Sequence, residues 1–216
     1  MDLLSEIILY IASGTGVTLS VIAIALPMAF GIGLVLAVLR VYGGKLLESI
    51  ITLYSIVMRG IPPIVLLFIL YFILAKDINL SPFIAGTFAL SLISSSYQME
   101  IFRGAFLSVA NDQMLAARSI GMNQWHAIRY IILPQALRAA IPPWSNEAAM
   151  LVKESSLVYV IGIPELLRRA QYVSARTYQS LLAFSIAAVI YFLLTFLTNR
   201  GLDYVEKKTR IPSNIT

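Results

Sequence analysis

Cysteine is absent from this chain of 216 residues, histidine occurs once, and charged residues make up only 12% of the sequence. A chain without cysteine forms no disulfide and offers no thiolate to a metal or a substrate. The single His126 cannot assemble a histidine-rich metal site by itself. We therefore expect no metal, no cofactor and no thiol chemistry. A soluble domain carries about 25% charged residues, so this low charge is the first indication of a membrane protein.

Apolar residues account for 59% of the chain, and the mean hydropathy is +0.83. The net charge of +5 is scattered between apolar blocks rather than gathered on one face, so nucleic acid is not an expected partner. A hydrocarbon core of about 30 Å needs about 20 helical residues. We predict an all-α integral membrane protein, in which residues 1–216 form a single transmembrane domain embedded in a lipid bilayer. Its five predicted transmembrane helices cover 16–39, 50–74, 80–102, 134–157 and 177–199.

The first of these spans is a retained helix, because its apolar block is longer than the core of a cleavable signal peptide. Basic residues predict the orientation, since they accumulate in cytoplasmic loops. An outside N-terminus and a cytoplasmic C-terminus assign ten basic residues to the cytoplasm and five to the other face. The ten are Arg40, Lys45, Arg103, Arg118, Arg129, Arg138, Arg200, Lys207, Lys208 and Arg210, and the five are Lys76, Lys153, Arg168, Arg169 and Arg176.

The cytoplasmic segment 103–133 has a predicted internal shape. A helix is expected to start at Asn111 and to end at Gly121, which suits the left-handed position at a helix terminus. Asn123 is expected to cap a second helix, and Pro134 fits the first turn of the following one. The result is a short bent helix pair at the membrane surface.

Two interpretations of this pair remain open from the pattern alone. The small side chains of Ala116 and Ala117 permit close backbone approach, and Trp125 offers an apolar anchor, which favours docking to a partner protein. Arg118, Arg129 and an apolar stripe equally suit a helix that rests on anionic lipid.

The order of several short motifs resembles the permeases of ABC importers. Ala116-Ala117, Gly121 and Leu133-Pro134-Gln135-Ala136 resemble the EAA loop, the segment by which these permeases dock on an ATPase. Further motifs are similar to the branch that takes up polar amino acids such as histidine, glutamine and arginine. They are 15–19, Arg59-Gly60-Ile61-Pro62, Tyr97 with Glu100, Arg103-Gly104, Asn146-Glu147, 153–157 and 161–166.

This resemblance implies a type I importer permease that works as a dimer, with an identical or a similar permease. It also implies two ABC ATPase subunits and an extracytoplasmic amino acid-binding protein as partners. The implied docking residues are Leu115, Ala116, Ala117, Gly121, Trp125 and Pro134. The chain departs from the family pattern at Asp112, where a glycine is usual, and at Leu115, where the family has the glutamate of the loop's name.

Charged residues inside the predicted spans indicate a polar pathway, because a charge at the bilayer centre costs about 3 kcal/mol on insertion scales. Arg59, Glu100 and Glu147 should therefore face a cavity or one another. Two alternatives remain open: Arg59 holds carbonyls released at Pro62, and Glu100 lies at the interface beside Arg103. The candidate pathway residues are Arg59, Pro62, Tyr97, Glu100, Asn146 and Glu147.

No nucleotide-binding P-loop is present in the sequence, since Gly44-Lys45 is followed by Leu46 and lacks the upstream glycine. We therefore expect this chain not to be an enzyme and ATP to be hydrolysed by partner subunits. The rival classes are a small secondary transporter, or another polytopic membrane protein, without an ATPase partner. A secondary transporter usually has two related halves, and an intramembrane enzyme needs a nucleophile with a base or a metal; the sequence shows none of these.

Overall fold

The computed structural model describes residues 3–77 and 79–209, and in these ranges the chain is helical with short connections and no strand. Within these described ranges nine α-helices follow one another, with a π-helical turn at Ile128–Ile132 before α7 and a 3₁₀ segment at Ser155–Ile161 after it. They are α1 (Leu3–Ala12), α2 (Thr15–Tyr42), α3 (Lys45–Gly60), α4 (Pro63–Asp77), α5 (Pro82–Ser119), α6 (Gln124–Ala127), α7 (Leu133–Glu154), α8 (Leu166–Thr177) and α9 (Ser180–Thr209).

Length and hydropathy single out fewer bilayer-crossing segments than the five predicted. In the described part of the chain they are Leu3–Tyr42 and Ser180–Thr209, and a third if the bent pair α3 and α4 is counted as one span. The helices α5 and α7 are long enough but too polar for this criterion. Much of that polarity is hidden inside the protein, since Ser91, Ser94, Ser96 and Gln98 of α5 have no exposed surface. A helix surrounded by protein does not need a uniformly apolar surface.

The second predicted span, 50–74, is not one continuous helix. It consists of the C-terminal part of α3 and most of α4, and the chain bends by 114° between these two helices. Pro62 and Pro63 have no N–H to donate, and a residue before proline is disfavoured in the helical region. Ile61 accordingly has an extended backbone, with φ −107° and ψ 138°. The chain therefore turns sharply at Pro62.

The helix α5 lies at the centre of the fold and packs against α2, α3, α4 and α7. Small and hydroxyl-bearing residues permit this close packing. At Gly33 of α2, a Cβ atom would lie only 3.0 Å from the Met99 nitrogen and the Ser95 carbonyl oxygen of α5. Any larger residue at position 33 would push the two backbones apart.

A second apolar cluster joins the two ends of the sequence. Ile7 and Ile11 of α1 pack with Leu166 and Ala170 of α8 and with Ala183 of α9. The amphipathic helices α1 and α8 thereby cover the start of α9. The N-terminal helix is part of the fold rather than a free extension.

The predicted start of a helix at Asn111 is wrong, because α5 runs without interruption from Pro82 to Ser119. Asparagine is a frequent helix cap but does not break a helix whose preceding residues are already helical. The first half of the segment 103–133 is therefore a continuation of α5. The prediction of Gly121 as the end of this helix is confirmed, since Gly121 has φ +84° just after Ser119.

Candidate functional site

Glu100 of α5 is the meeting point of three helices. Its carboxylate accepts a hydrogen bond from Ser55 Oγ at 2.7 Å and forms ion pairs with three arginines. Arg103 Nε lies 2.8 Å and Arg59 Nη2 lies 3.3 Å from the carboxylate oxygens, and Arg40 Nη1 also donates to it. The carboxylate side chain is only 15% exposed. All three ion pairs found among the described residues involve Glu100.

Arg59 was a candidate from the sequence, and its guanidinium lies where α3 approaches α5. It donates through Nε to Ser55 Oγ at 3.1 Å and through Nη2 to Glu100, rather than to a carbonyl freed beside Pro62. Glu100 pairs with Arg103, three residues later on the same helix, whereas its position at the membrane interface stays a prediction. The contribution of Arg40 was missed, because the sequence does not reveal that the end of α2 reaches α5.

Glu147 of α7 belongs to a different polar group. Its Oε1 accepts a hydrogen bond from Ser94 Oγ at 2.7 Å, and Gln98 Nε2 in turn donates to Ser94 Oγ at 3.2 Å. Trp144 Nε1 closes the chain by donating to Gln98 Oε1 at 2.8 Å. Glu147 therefore has a hydroxyl donor but no cationic partner in the described part of the protein.

One side of α7 is open and polar. Asn146, Met150 and Lys153 are exposed along it, while Glu147 and Glu154 are half-buried at its margin. Tyr97 of α5 is half-buried, whereas Glu100 on the same helix is turned towards α2 and α3.

The segment after α5 has the predicted capping geometry. Gly121 N donates to the Arg118 carbonyl and Met122 N donates to the Ala117 carbonyl at 3.1 Å, which closes the end of α5. The Asn123 side chain accepts from His126 N at 2.9 Å and so caps α6, as predicted. Pro134 lies in the first turn of α7, also as predicted.

The candidate docking residues do not all point the same way. Leu115 is 68% and Trp125 is 59% exposed, and Ala116, Gly121 and Pro134 are also exposed. Ala117 is only 1% exposed, so the expectation that both alanines offer a small surface to a partner is wrong for Ala117. The 3.6-residue helical period turns Ala117 towards the interior of the subunit. Ile120, with 76% exposure, extends the apolar surface instead.

Glu165 is a buried acid whose role the sequence did not reveal. It caps α8 by accepting from Arg168 N at 2.7 Å, and it also accepts a hydrogen bond from the Tyr191 hydroxyl of α9. Burial raises the pKa of this carboxyl, and the hydrogen bonds from Tyr191 and from the backbone of Leu167 and Arg168 oppose that rise. The sequence signal was a glutamate just before an amphipathic helix, the usual place for a cap.

Within residues 3–77 and 79–209, no three His, Cys, Asp or Glu side chains come together as a metal site. The chemistry of the described residues is therefore that of ion pairs, hydrogen bonds and an open polar helix face. Such an arrangement is suited to recognising or conducting a polar solute.

Comparison with known proteins agrees with this geometry. Residues 29–211 match the family described as "Binding-protein-dependent transport system inner membrane component". The chain is 33% identical over 201 residues to the glutamine transport system permease protein GlnP of Escherichia coli K12, covering 92% of each. It is 36% identical over 200 residues to the probable amino-acid ABC transporter permease protein YckA of Bacillus subtilis 168, covering 92% of this chain and 88% of YckA.

A crystal structure of an amino acid ABC transporter with histidines superposes with a TM-score of 0.84 at 34% sequence identity. The match covers 96% of this chain and 99% of the other. The all-helical architecture, the polar face of α7 and the bent segment after α5 thus define a permease subunit of the type I ABC importer class. The chain belongs to the family of inner membrane components of binding-protein-dependent transport systems.

We predict that Glu100→Gln destabilises the fold, because three arginines then remain close together without a compensating charge. The free energy of unfolding should fall by about 3 kcal/mol. This value is the lower end of the range for breaking a buried ion pair, because Arg59 and Arg103 are partly exposed. The measurement is unfolding in detergent micelles titrated with dodecyl sulfate. The exposed Glu48 of α3 supplies the control: Glu48→Gln should change the same free energy by less than about 0.5 kcal/mol. Equal effects of the two substitutions would contradict a stabilising role of the cluster.

Proposed function

We propose that this chain is the translocating subunit of an ATP-driven importer of amino acids. The observation that carries the proposal is the polar face of α7, where Asn146, Glu147, Lys153 and Glu154 lie on a helix of the membrane domain. Ionisable groups at membrane depth are expensive unless they face protein, water or a solute. The relatives named for glutamine and amino-acid transport support amino acids as the solute class.

A second permease, identical or similar, is proposed to cover this face. An exposed row of polar residues is unfavourable towards lipid but suits a pathway between two subunits. In this arrangement Tyr97, Asn146 and Glu147 line the pathway. Arg59, Pro62 and Glu100 form its wall beside the bend between α3 and α4.

ATP is hydrolysed by separate ABC ATPase subunits, which dock on the segment that ends α5. This part of the proposal rests on the exposed apolar side chains of Leu115, Ile120 and Trp125 around a rigid turn. Ala116, Gly121 and Pro134 complete the docking surface, and Ala117 supports it from inside. An extracytoplasmic amino acid-binding protein delivers the solute to the opposite side of the membrane.

The orientation in the cell membrane is proposed to be N-terminus outside and C-terminus cytoplasmic. The segment around Gly121 and the end of α9 then lie on the same side, consistent with Arg118, Arg129, Lys207 and Lys208 being cytoplasmic. Arg210, which also entered the count of basic residues, lies outside the described residues.

Single-cysteine labelling tests this orientation without background, because the chain has no cysteine of its own. Gln179, between α8 and α9, and Lys208 of α9 are both exposed. In sealed cells an impermeant maleimide should label Gln179→Cys and not Lys208→Cys, and permeabilised membranes should show labelling of both. Labelling of Lys208→Cys in sealed cells would reverse the proposed orientation.

We expect Gly121→Val to uncouple ATP hydrolysis from transport. Gly121 has φ +84°, a conformation that costs a β-branched residue about 1 kcal/mol or more, although the space around a Cβ atom is open. The strained turn should shift the angle at which Leu115 and Trp125 meet the ATPase. Transport-stimulated ATPase activity in proteoliposomes is the measurement.

Two matched substitutions sharpen this test. Gly121→Asn should retain more coupling than Gly121→Val, because asparagine tolerates the left-handed region. Gly104→Val places the same side chain in open space within α5, where glycine has no positive φ, and should leave coupling intact. If uptake proceeds without any ATPase, driven by an ion gradient alone, the importer proposal fails and the secondary-transporter alternative is favoured.

Glu147→Gln should reduce uptake of arginine more than uptake of glutamine. The reason is that Glu147 has no cationic partner among the described residues, so a cationic solute profits most from its charge. Losing one charge-assisted contact should lower the ratio of arginine uptake to glutamine uptake about tenfold. Competition of labelled substrates in proteoliposomes measures the ratio, with Glu48→Gln as control. Equal loss for both amino acids would assign Glu147 a structural role.

A further inference from the structure

A cavity of about 320 Å³ lies between α5, α7 and the end of α9. Arg138 is on its wall, nine positions before Glu147 on the same helix. Nine residues correspond to two and a half helical turns, so these two side chains leave α7 on opposite sides. Arg138 is therefore on the side of α7 away from Glu147.

Opposite charges line this cavity without neutralising each other. Arg138 comes from α7 and Glu206 from α9, and both face the cavity. The three ion pairs of the described residues all end on Glu100, so neither Arg138 nor Glu206 takes part in one. Arg138 is exposed and Glu206 is half-buried. A guanidinium and a carboxylate thus line one cavity without forming an ion pair with each other.

The remaining wall combines one amide and the hydroxyl of Thr209 with apolar groups. Gln135 Nε2 already donates to the Ile131 carbonyl at 2.9 Å, which holds the amide in place and leaves its oxygen as an acceptor. Val109, Ala139 and Pro142 supply an apolar wall. The volume equals that of about ten liquid waters at roughly 30 Å³ each, which is enough for a small organic molecule.

We propose that this cavity binds a small zwitterion that carries a primary ammonium and an anionic oxygen group a few bonds apart. The ammonium pairs with Glu206 and the Gln135 oxygen. The anionic group receives two parallel hydrogen bonds from the Arg138 guanidinium, whose planar fork suits a carboxylate or a phosphate. The ligand thereby bridges α7 and α9.

Two kinds of molecule that carry a primary ammonium and an anionic oxygen group can reach the cavity. Arg138 lies near the start of α7, and Glu206 lies beyond residue 199, where the last predicted span ends. The cavity is therefore near a membrane boundary, which both a dissolved amino acid and the phosphoethanolamine headgroup of a lipid can reach. Phosphatidylcholine has the same charges, but its methylated ammonium has no N–H to donate to Glu206 or Gln135.

The test uses the full chain in nanodiscs, with thermal unfolding followed by the fluorescence of Trp125 and Trp144. One arm adds glutamine or arginine to phosphatidylcholine nanodiscs. The other arm replaces half of the phosphatidylcholine by phosphatidylethanolamine. At least one arm should raise the Tm by several degrees. Arg138→Gln and Glu206→Gln should each reduce this Tm increase, because each lowers the apparent affinity for the added amino acid or lipid about tenfold. The responsive arm identifies the source.

Matched controls separate this cavity from other effects. Asp203→Asn and Lys207→Gln change exposed charges on the same stretch of α9, at residues that do not line the cavity, and should retain the full shift. A shift that is lost in Glu147→Gln but kept in Arg138→Gln would place the binding in the proposed pathway and contradict the proposal. The exchange Arg138→Glu with Glu206→Arg should recover part of the shift. If neither arm shifts the Tm, or if the shift survives both cavity substitutions, the proposal is wrong.

Discussion

The neutralisation of Glu100 is the constraint on which the arrangement of this subunit depends. A carboxylate that is 15% exposed in the membrane domain needs compensating charge, and three arginines from three helices supply it. Arg40 holds the end of α2 and Arg59 holds the last turn of α3 against α5. Because α3 is held there, the bend at Pro62 allows α4 to pack against α5 as well. Removing this carboxylate would leave like charges facing one another at the centre of the fold.

The two acidic residues Glu100 and Glu147 illustrate how environment separates a neutralised carboxylate from an unpaired one. Glu100 accepts from four side chains on three helices and has little left to offer a solute. Glu147 receives one bond from Ser94, and it lies at the edge of an open helix face. The chain from Trp144 through Gln98 to Ser94 orients that carboxylate without neutralising it. A group held in position but not paired can respond to a passing cationic solute.

Local signals in the sequence predicted local structure well. Gly121, Asn123 and Pro134 take the helix-end positions expected of them, because capping depends only on backbone geometry and on side chains two or three residues away. The errors arose where neighbours in space decide the outcome. The continuity of α5 through Asn111 and the burial of Ala117 depend on what surrounds the helix. The sharp angle at Pro62 exceeds what a proline in a continuous span would suggest, because Pro63 follows it and Arg59 holds α3 on α5.

The sequence by itself determined the helical, membrane-embedded class of this protein, since long apolar blocks without cysteine or dense charge admit few other folds. It also determined the candidate residues, because charged and proline-containing motifs are conspicuous in such blocks. Only the tertiary structure decided which charges pair. Arg40 and Glu100 are sixty positions apart, and Arg138 and Glu206 share a cavity although they are further apart still. Pairing across helices depends on their rotation and depth, and hydropathy along one chain carries no information about either.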